Sequence, residues 1–364
     1  MRPEKAEIRA IVVHAAVPEW DGDTLRSVIE GATEKARRAA KLVEEKMGLR
    51  VDSIRVTLPP SPLPASKTIE LLKEARDAFA TDVYYSVFHA EAVDAGPGQV
   101  LEVLGLGPRV YASIATPAPI EEAAKILYEV ARHPDKAARF AIAVPGFIES
   151  PYFPAGSSLG PVHGLSASLL YPRMLEGRDL YEGFNDVSDL AVELEENLMD
   201  IAEELGLEYR GLDLSLSPWM EQSVARVVEQ VAGQRIGEIG VAATIREIEE
   251  LIEELCLDVT CTGFNQVMLP VAEDNVLKER VASNELNIYK LLHLTYACVA
   301  GLDMVLVPKR QWTREKTAAI LAEITTAANL KEKPLGVRIV AVDAEPGEWI
   351  EIGDFGKTPV ARIQ

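Results

Sequence analysis

The sequence predicts an α/β fold with mostly parallel strands, in one large domain covering residues 1–364. Three observations carry this. Short apolar segments alternate with longer amphipathic ones along the whole chain, about ten strands with about eight helices. Some strands, "MVLVP" and "FAIAVP", are near-continuous apolar runs, as expected when both faces are covered. No Ser/Gly linker, low-complexity tract or short repeat divides the chain.

The elements follow in order. Residues 7–17 read as a strand. Residues 24–47 read as a long helix, because Leu25, Val28, Ile29, Ala32, Ala36, Ala39, Ala40 and Val43 share one face. Ile54, Val56 and Leu58 alternate as a strand that stops at Pro59-Pro60. "SKTIELLKEARDAFA" is a helix with Ser66 as its N-cap. "DVYYSVFHA", "PRVYASIAT" and "RFAIAVPG" are strands, the last two separated by the helix "PIEEAAKILYEVARH". A Pro-rich loop runs from Pro145 to Gly160, and "HGLSASLLYP" follows as a strand. A second long helix, "DVSDLAVELEENLMDIAEELG", stops at Gly206. An alternating run from Tyr209 ends at Pro218, and a helix starts at once. Three more helices come after it, "AATIREIEELIEEL", "ELNIYKLLHLTYACVA" and "REKTAAILAEITTAANL". "LDMVLVP" and "GVRIVAV" are strands, with a final one near "PVARIQ".

Composition narrows the class of function. The chain has 364 residues, 48% apolar and 26% charged, which is ordinary for a globular protein. The net charge of −20 argues against nucleic acid and anionic membranes as partners, since both need a basic patch. No apolar run approaches the ~20 residues that span a bilayer, and the start of the chain lacks a leader pattern. A cytoplasmic location is expected. Seven Asn and seven Gln among many Glu, Lys and Arg resemble a heat-adapted composition.

The usual motifs are weak or missing. Gly96-Pro97-Gly98 would need a third glycine where Leu101 stands to bind a dinucleotide. Cys256 and Cys261 have no second pair of Cys or His with zinc spacing, so no metal site is expected. Cys261 sits at a strand edge before a Gly loop and is a candidate nucleophile. His163 is the best general-base candidate among five scattered histidines. The richest stretch is "YRGLDLSLSPWMEQSVARVVEQ". There Asp213, Ser215 and Ser217 share one side of a strand, and Ser223 and Arg226 open the next helix. Arg226 would clamp an anion, the serines would orient it, and Asp213 would act as a base or cation ligand. Asn265 and Gln266 add carbonyl contacts. The competing reading is a well-hydrogen-bonded turn. Asp213 and Asp303 each lie in a "GLD" triplet and could share a hard cation if their strands adjoin. Glu149, Glu273 and Asp274 are the other acids at strand ends or loops.

"GLDLSLSPWMEQSVARVVEQVAG", "SNELNIYKLLHLTYACVAGLDMVLVP", "IGDFGKTPVARIQ" and "FAIAVPGFIESPYFPAGSSLG" resemble the family called domain of unknown function 711, or uncharacterised protein family 0210. The resemblance implies a single α/β barrel of about ten strands, like that of pyruvate formate-lyase and other glycyl radical enzymes. It implies a fold and a site but no reaction, and it leaves the cofactor open. The radical chemistry of those enzymes needs a C-terminal glycine loop, and Gly336, Gly347, Gly353 and Gly356 lack its context. Cys261 and Cys298 match cysteines of the family. Leu159-Gly160 stands where bacterial members carry His-Gly, which puts weight on His163.

Three functions fit these observations. The first is an enzyme acting on a small anionic or polar metabolite at the barrel mouth. The second is a ligand-binding or regulatory protein on the same frame. The third is a self-assembling protein anchored by the aromatics of "WMEQ", "VPGFIESPYFP" and "PKRQW". A homo-oligomer is compatible with each.

Overall fold

The computed structural model describes residues 6–116, 120–298 and 300–363, except for the side chain of Cys298. The predicted helix start at Pro119 and the family cysteine Cys298 therefore lie outside it, wholly or in side chain. The strands are β1 (Glu7–His14), β2 (Ile54–Thr57), β3 (Tyr84–Glu91), β4 (Val110–Ala115), β5 (Phe140–Val144), β6 (Ile148–Glu149) and β7 (Gly156–Ser157). They continue as β8 (Gly164–Leu170), β9 (Glu208–Asp213), β10 (Gly301–Pro308), β11 (Leu335–Val342), β12 (Trp349–Glu351) and β13 (Lys357–Pro359). Nine of them form one sheet in the order β10-β11-β5-β4-β3-β2-β1-β8-β9.

Pairing is parallel from β1 to β5, between β8 and β9, and between β10 and β11. Within this sheet, among the described residues, it is antiparallel only where β1 meets β8 and β11 meets β5. The mostly parallel sheet is as expected, but it is assembled from runs of opposite direction. Residues after the helix Val241–Asp258 extend the β9 edge without regular strand geometry. Leu212 bridges Cys261, Leu216 bridges Val267, and Ala300 N–H donates to Val267 O at 3.0 Å.

One face of the sheet packs under the helices. Ile11, Val13, Val56, Tyr85, Ala112, Ile142, Leu165, Leu212, Val305 and Ile339 belong to the main core with the helix residues. The opposite positions carry Arg9, Arg55, Thr57, Ser86, Ser113, Ser166, Ser168, Asp213, Asp303 and Arg338, with Arg9 and Asp303 brought there by irregularities in the register of β1 and β10. Period-two alternation thus sends polar groups to the face away from the helices. That face receives the loop 145–160, held by strand hydroxyls. Thr57 Oγ1 donates to Gly156 O at 3.0 Å and Ser86 Oγ to Pro154 O at 3.2 Å.

Several boundaries differ from the sequence reading. The first long helix, Gly22–Met47, is capped by the Asp21 carboxylate on Thr24 N–H. The next begins at Ala65 with Pro64 as N-cap, so Ser66 is inside the helix and caps nothing. Gly96-Pro97-Gly98 opens a helix, Pro97–Leu104, because Pro sits well at a first helical turn and Gln99 Oε1 accepts from Gly96 N–H. The final strand shrinks to the β12–β13 hairpin, with Val360 bridging Leu306.

Candidate functional site: a polar pocket and a neighbouring carboxylate hub

The stretch singled out in the sequence folds around Asp213, which is fully buried. One carboxylate oxygen accepts from Ser215 N–H at 3.1 Å, Ser215 Oγ at 2.5 Å and Asn265 N–H at 3.2 Å. The other accepts from Phe264 N–H at 2.8 Å and Ser150 Oγ at 3.2 Å. Burial raises the carboxyl's pKa, and these donors oppose the rise. Gly263 has φ +86°, and a Cβ there would meet Asp213 Oδ2 at 2.1 Å, so only glycine lets the backbone close on the acid. Ser215 Oγ in turn accepts from Gln266 N–H at 3.1 Å, and Asn265 Oδ1 from Leu214 N–H at 2.8 Å. Gln266 bonds Pro334 O and Lys331 Nζ. Asp213, Ser215, Asn265 and Gln266 therefore tie β9 to residues 261–267 and to loop 145–160. Five donors leave Asp213 little capacity for a ligand.

The remaining predicted residues lie elsewhere. Ser223 is an N-cap: its hydroxyl accepts from Arg226 N–H at 3.0 Å and donates to Asp274 at 2.6 Å. Arg226 is not an inward anion clamp. Its side chain is 40% exposed and pairs with Glu176 and Glu221, because its position on the helix Val224–Ala232 faces outward. His163 Nδ1 accepts from Ala16 N–H at 3.1 Å, and burial, then Lys35, lower its pKa. Cys261 is not a free thiol: it is disulfide-bonded to Cys256. The helix ends at Asp258 and the chain turns back within three residues, which brings the two cysteines to 5.5 Å between Cα atoms. A bonded sulfur offers no thiolate. Asp213 and Asp303 share no partner, since Asp303 is taken by Arg338.

Of the predicted residues, Ser217 does line a cavity, of about 400 Å³. Its hydroxyl meets Tyr152 Oη at 2.7 Å. The cavity lies at the N-terminal ends of β1–β5, with loop 145–160 supplying Tyr152 and Phe153 as part of its wall. Its charges are ones the sequence reading passed over, apart from Glu273 and Asp303. A chain of ions, buried at its centre and partly exposed at its two acidic ends, runs Asp52–Arg9–Glu273–Arg338–Asp303, at 2.5, 3.2, 2.7 and 2.6 Å. Burial alone would raise the Glu273 carboxyl, but Arg338 and Arg9 overcome it and hold the pKa below its usual value. Arg9 also stacks over Trp219 at 4.1 Å.

Arg55 stands apart from that chain. It is 9% exposed and has no carboxylate partner among the described residues. Nε donates to Ser53 Oγ at 3.0 Å and Nη1 to Pro151 O at 2.8 Å, while Nη2 has no protein acceptor among the described residues. Burial, then the neighbouring Arg9 cation, lower its pKa to about 10. Tyr111 is beside it, with its ring 6.0 Å from both Tyr84 and Phe153. Burial raises the Tyr111 phenol, which stays protonated at neutral pH and donates to no acceptor among the described residues. Arg139 also lines the cavity and spends its guanidinium on backbone carbonyls of Leu104, Gly107 and Val110.

One signal could have found these arginines. "EIRAIVV", "SIRVTL" and "GVRIVAV" each set Arg9, Arg55 or Arg338 inside an apolar strand. An arginine between buried neighbours has no cheap route to water, so it needs a partner or a ligand.

Fold and pocket define an α/β protein with a polar, arginine-rich cavity on the helix-free face of its sheet. The more particular likeness comes from comparison. Residues 175–353 match the family described as Uncharacterised ACR (DUF711). The chain is 31% identical over 169 residues to a UPF0210 protein of Sulfurisphaera tokodaii, covering 45% of this chain and 38% of that relative. It is 26% identical over 389 residues to a UPF0210 protein of Pyrobaculum arsenaticum, covering 93% and 84%. A Lactococcus lactis UPF0210 protein is 32% identical over 167 residues, covering 44% and 37%. These matches support the family likeness read from the sequence. None of these names states an activity. Among the described residues no helix is long and apolar enough to cross a membrane.

Proposed function

We propose that this chain is a closed α/β barrel whose interior binds, and acts on, a small anionic or polar metabolite. Closure is supported by the segment 261–268, which reaches from Leu212 and Leu216 at the β9 edge to Ala300 beside β10. It is also supported by distance. In a flat sheet β2 and β10 would stand ~24 Å apart at ~4.8 Å per strand. Yet both line one cavity, and Glu273 alone links Arg9 of β1 to Arg338 of β11. With the irregular segment as a tenth stave, the barrel has the count implied by the family resemblance.

The observation that carries the functional reading is Arg55, a buried cation facing a cavity with no acid of its own. Such a group is costly unless something anionic completes it. The site for a ligand is therefore Arg55 with Tyr111 and Ser217, and the Asp213 cluster holds the wall behind it. Glycyl radical chemistry has no part in this proposal. A cytoplasmic setting and self-association are kept from the sequence reading as part of it.

The test is thermal unfolding with millimolar small carboxylates and phosphates, followed by mass spectrometry of any stabilising compound. A ligand that binds the folded state raises the Tm by mass action. The wild-type protein is expected to be stabilised and Arg55→Met is not. No stabilisation by any anion, or equal stabilisation of Arg55→Met, would overturn the reading. Conversion of the ligand separates an enzyme from a binding protein.

A further inference from the structure

The cavity is sorted by charge in a way that narrows its ligand. Within the ion chain, acids occupy both ends. Asp52, Glu273 and Asp303 outnumber Arg9 and Arg338, which leaves one excess negative charge. Arg50 approaches the Asp52 end at 3.9 Å, but its side chain is 72% exposed, so solvent weakens its effect there. At the other end Asp303 is 32% exposed in side chain and lines the cavity. Its two oxygens each accept one bond from Arg338, at 2.6 and 2.8 Å, which leaves lone pairs for a second donor.

The excess positive charge lies elsewhere. Arg55 has one nitrogen without a protein acceptor among the described residues, and the Tyr111 hydroxyl beside it has none either. Arg55 is on β2 and Asp303 on β10, with β11, β5, β4 and β3 between them in the sheet order. In a ten-stave ring those two strands are diametrically opposed. In the closed barrel Arg55 forms a cationic pole, tempered by Asp52 near it, and Asp303 an anionic pole on the facing wall, while Asp135, Asp354 and Arg139 line the cavity as well. Phe153, Phe264, Met268 and Trp219 line the space as apolar surface. A simple anion would satisfy one pole and face the other. A ligand with no net charge but a strong internal dipole would satisfy both, without adding net charge to a buried site.

We infer that the ligand is a zwitterion of the amino-acid type, with its carboxylate on Arg55 and Tyr111 and its ammonium on Asp303. This rests on the proposed reading of the pocket as a small-metabolite site and on the closed barrel. One carboxylate oxygen can accept a charge-assisted bond from Nη2 of Arg55 and the other a bond from the Tyr111 hydroxyl. An ammonium with three donors can use the lone pairs of Asp303 that Arg338 leaves.

The experiment is calorimetric titration of the full chain with the free proteinogenic amino acids. The tightest is then compared with its α-hydroxy acid, which lacks the ammonium, and its carboxamide, which lacks the carboxylate. The inference expects both analogues to bind at least tenfold more weakly. Asp303→Asn should cut the amino acid's affinity tenfold or more and leave the hydroxy acid's within threefold. Asp303→Glu should restore part of the amino acid's affinity, a check against simple misfolding. Equal binding of the hydroxy acid and the amino acid overturns the zwitterion and leaves the anion site standing. Binding of simple carboxylates or phosphate with no amino acid bound does the same. No binding by any carboxylate, amino acid or phosphate overturns the pocket reading with it.

Discussion

Two buried polar regions stand side by side in this molecule. Around Asp213, five donors meet one carboxylate, and the neighbouring Ser215, Asn265 and Gln266 are likewise occupied. Around Arg55, a guanidinium nitrogen and a phenol have no protein acceptor among the described residues, and they face open space. Both look alike as sequence, because each is a polar residue at every second place of an apolar strand. The difference is unspent hydrogen-bonding capacity. A saturated cluster stabilises the fold, and an unsaturated one can take a ligand.

The comparison can be broken by mutation. The largest expected effect is at the hub. Asp213→Ala would strand five buried donors, and a loss of about 4 kcal/mol or more is expected in urea unfolding. A cost under about 1 kcal/mol would show that the hub is not structural. Breaking the ion chain comes next. Arg338→Met leaves Asp303 and Glu273 without a principal partner and should cost about 3–5 kcal/mol by the same measurement.

His14 and His89 sharpen the picture of the interior. Each is buried and bonded to a serine hydroxyl, at 2.6 and 2.7 Å, and burial is the leading reason that both pKa values fall to about 4. The unfolded chain binds protons on these groups near pH 6.5 and the folded one does not. Their contribution is present above pH 6.5 and is lost as pH falls toward 4, roughly 3 kcal/mol for each. Urea midpoints measured from pH 7 to 4 should fall in that window and fall less steeply in His89→Asn. An unchanged slope would count against a buried neutral His89.

Smaller effects belong to the residues at the helix that follows β9. Ser223→Ala removes an N-cap and should cost about 1 kcal/mol. Arg226→Ala should change stability by less than about 0.5 kcal/mol, because its ion pairs are exposed. A larger loss from Arg226 than from Ser223 would reverse that order.

Much of the fold was legible in the sequence because periodicity and burial coincide there. Leu25, Ile29, Ala32 and Ala36 pack as the apolar face of a long helix, and the apolar strands fall where alternation and proline breaks put them. What was not legible has physical causes. The segment 261–268 has no strand period, because Gly263 and Asn265 adopt positive φ to wrap Asp213. The antiparallel junctions at β1–β8 and β11–β5 depend on which sheet edges meet, and local pattern does not encode that. The Cys256–Cys261 bond depends on how sharply one helix ends. At the site, the polar stripe Asp213, Ser215, Ser217 was visible, but its hydrogen-bond partners 51 to 65 residues away were not. The arginines of β1, β2 and β11 were visible as well, and only their burial gives them meaning.

Arg55→Met and Asp213→Asn, titrated in parallel with the tightest-binding small carboxylate, test the central claim most directly. The account predicts that Arg55→Met keeps its stability and loses binding at least tenfold. Asp213→Asn should lose stability and, below its Tm, bind within threefold of the wild-type protein. A folded Asp213→Asn that cannot bind, beside an Arg55→Met that binds normally, would contradict it.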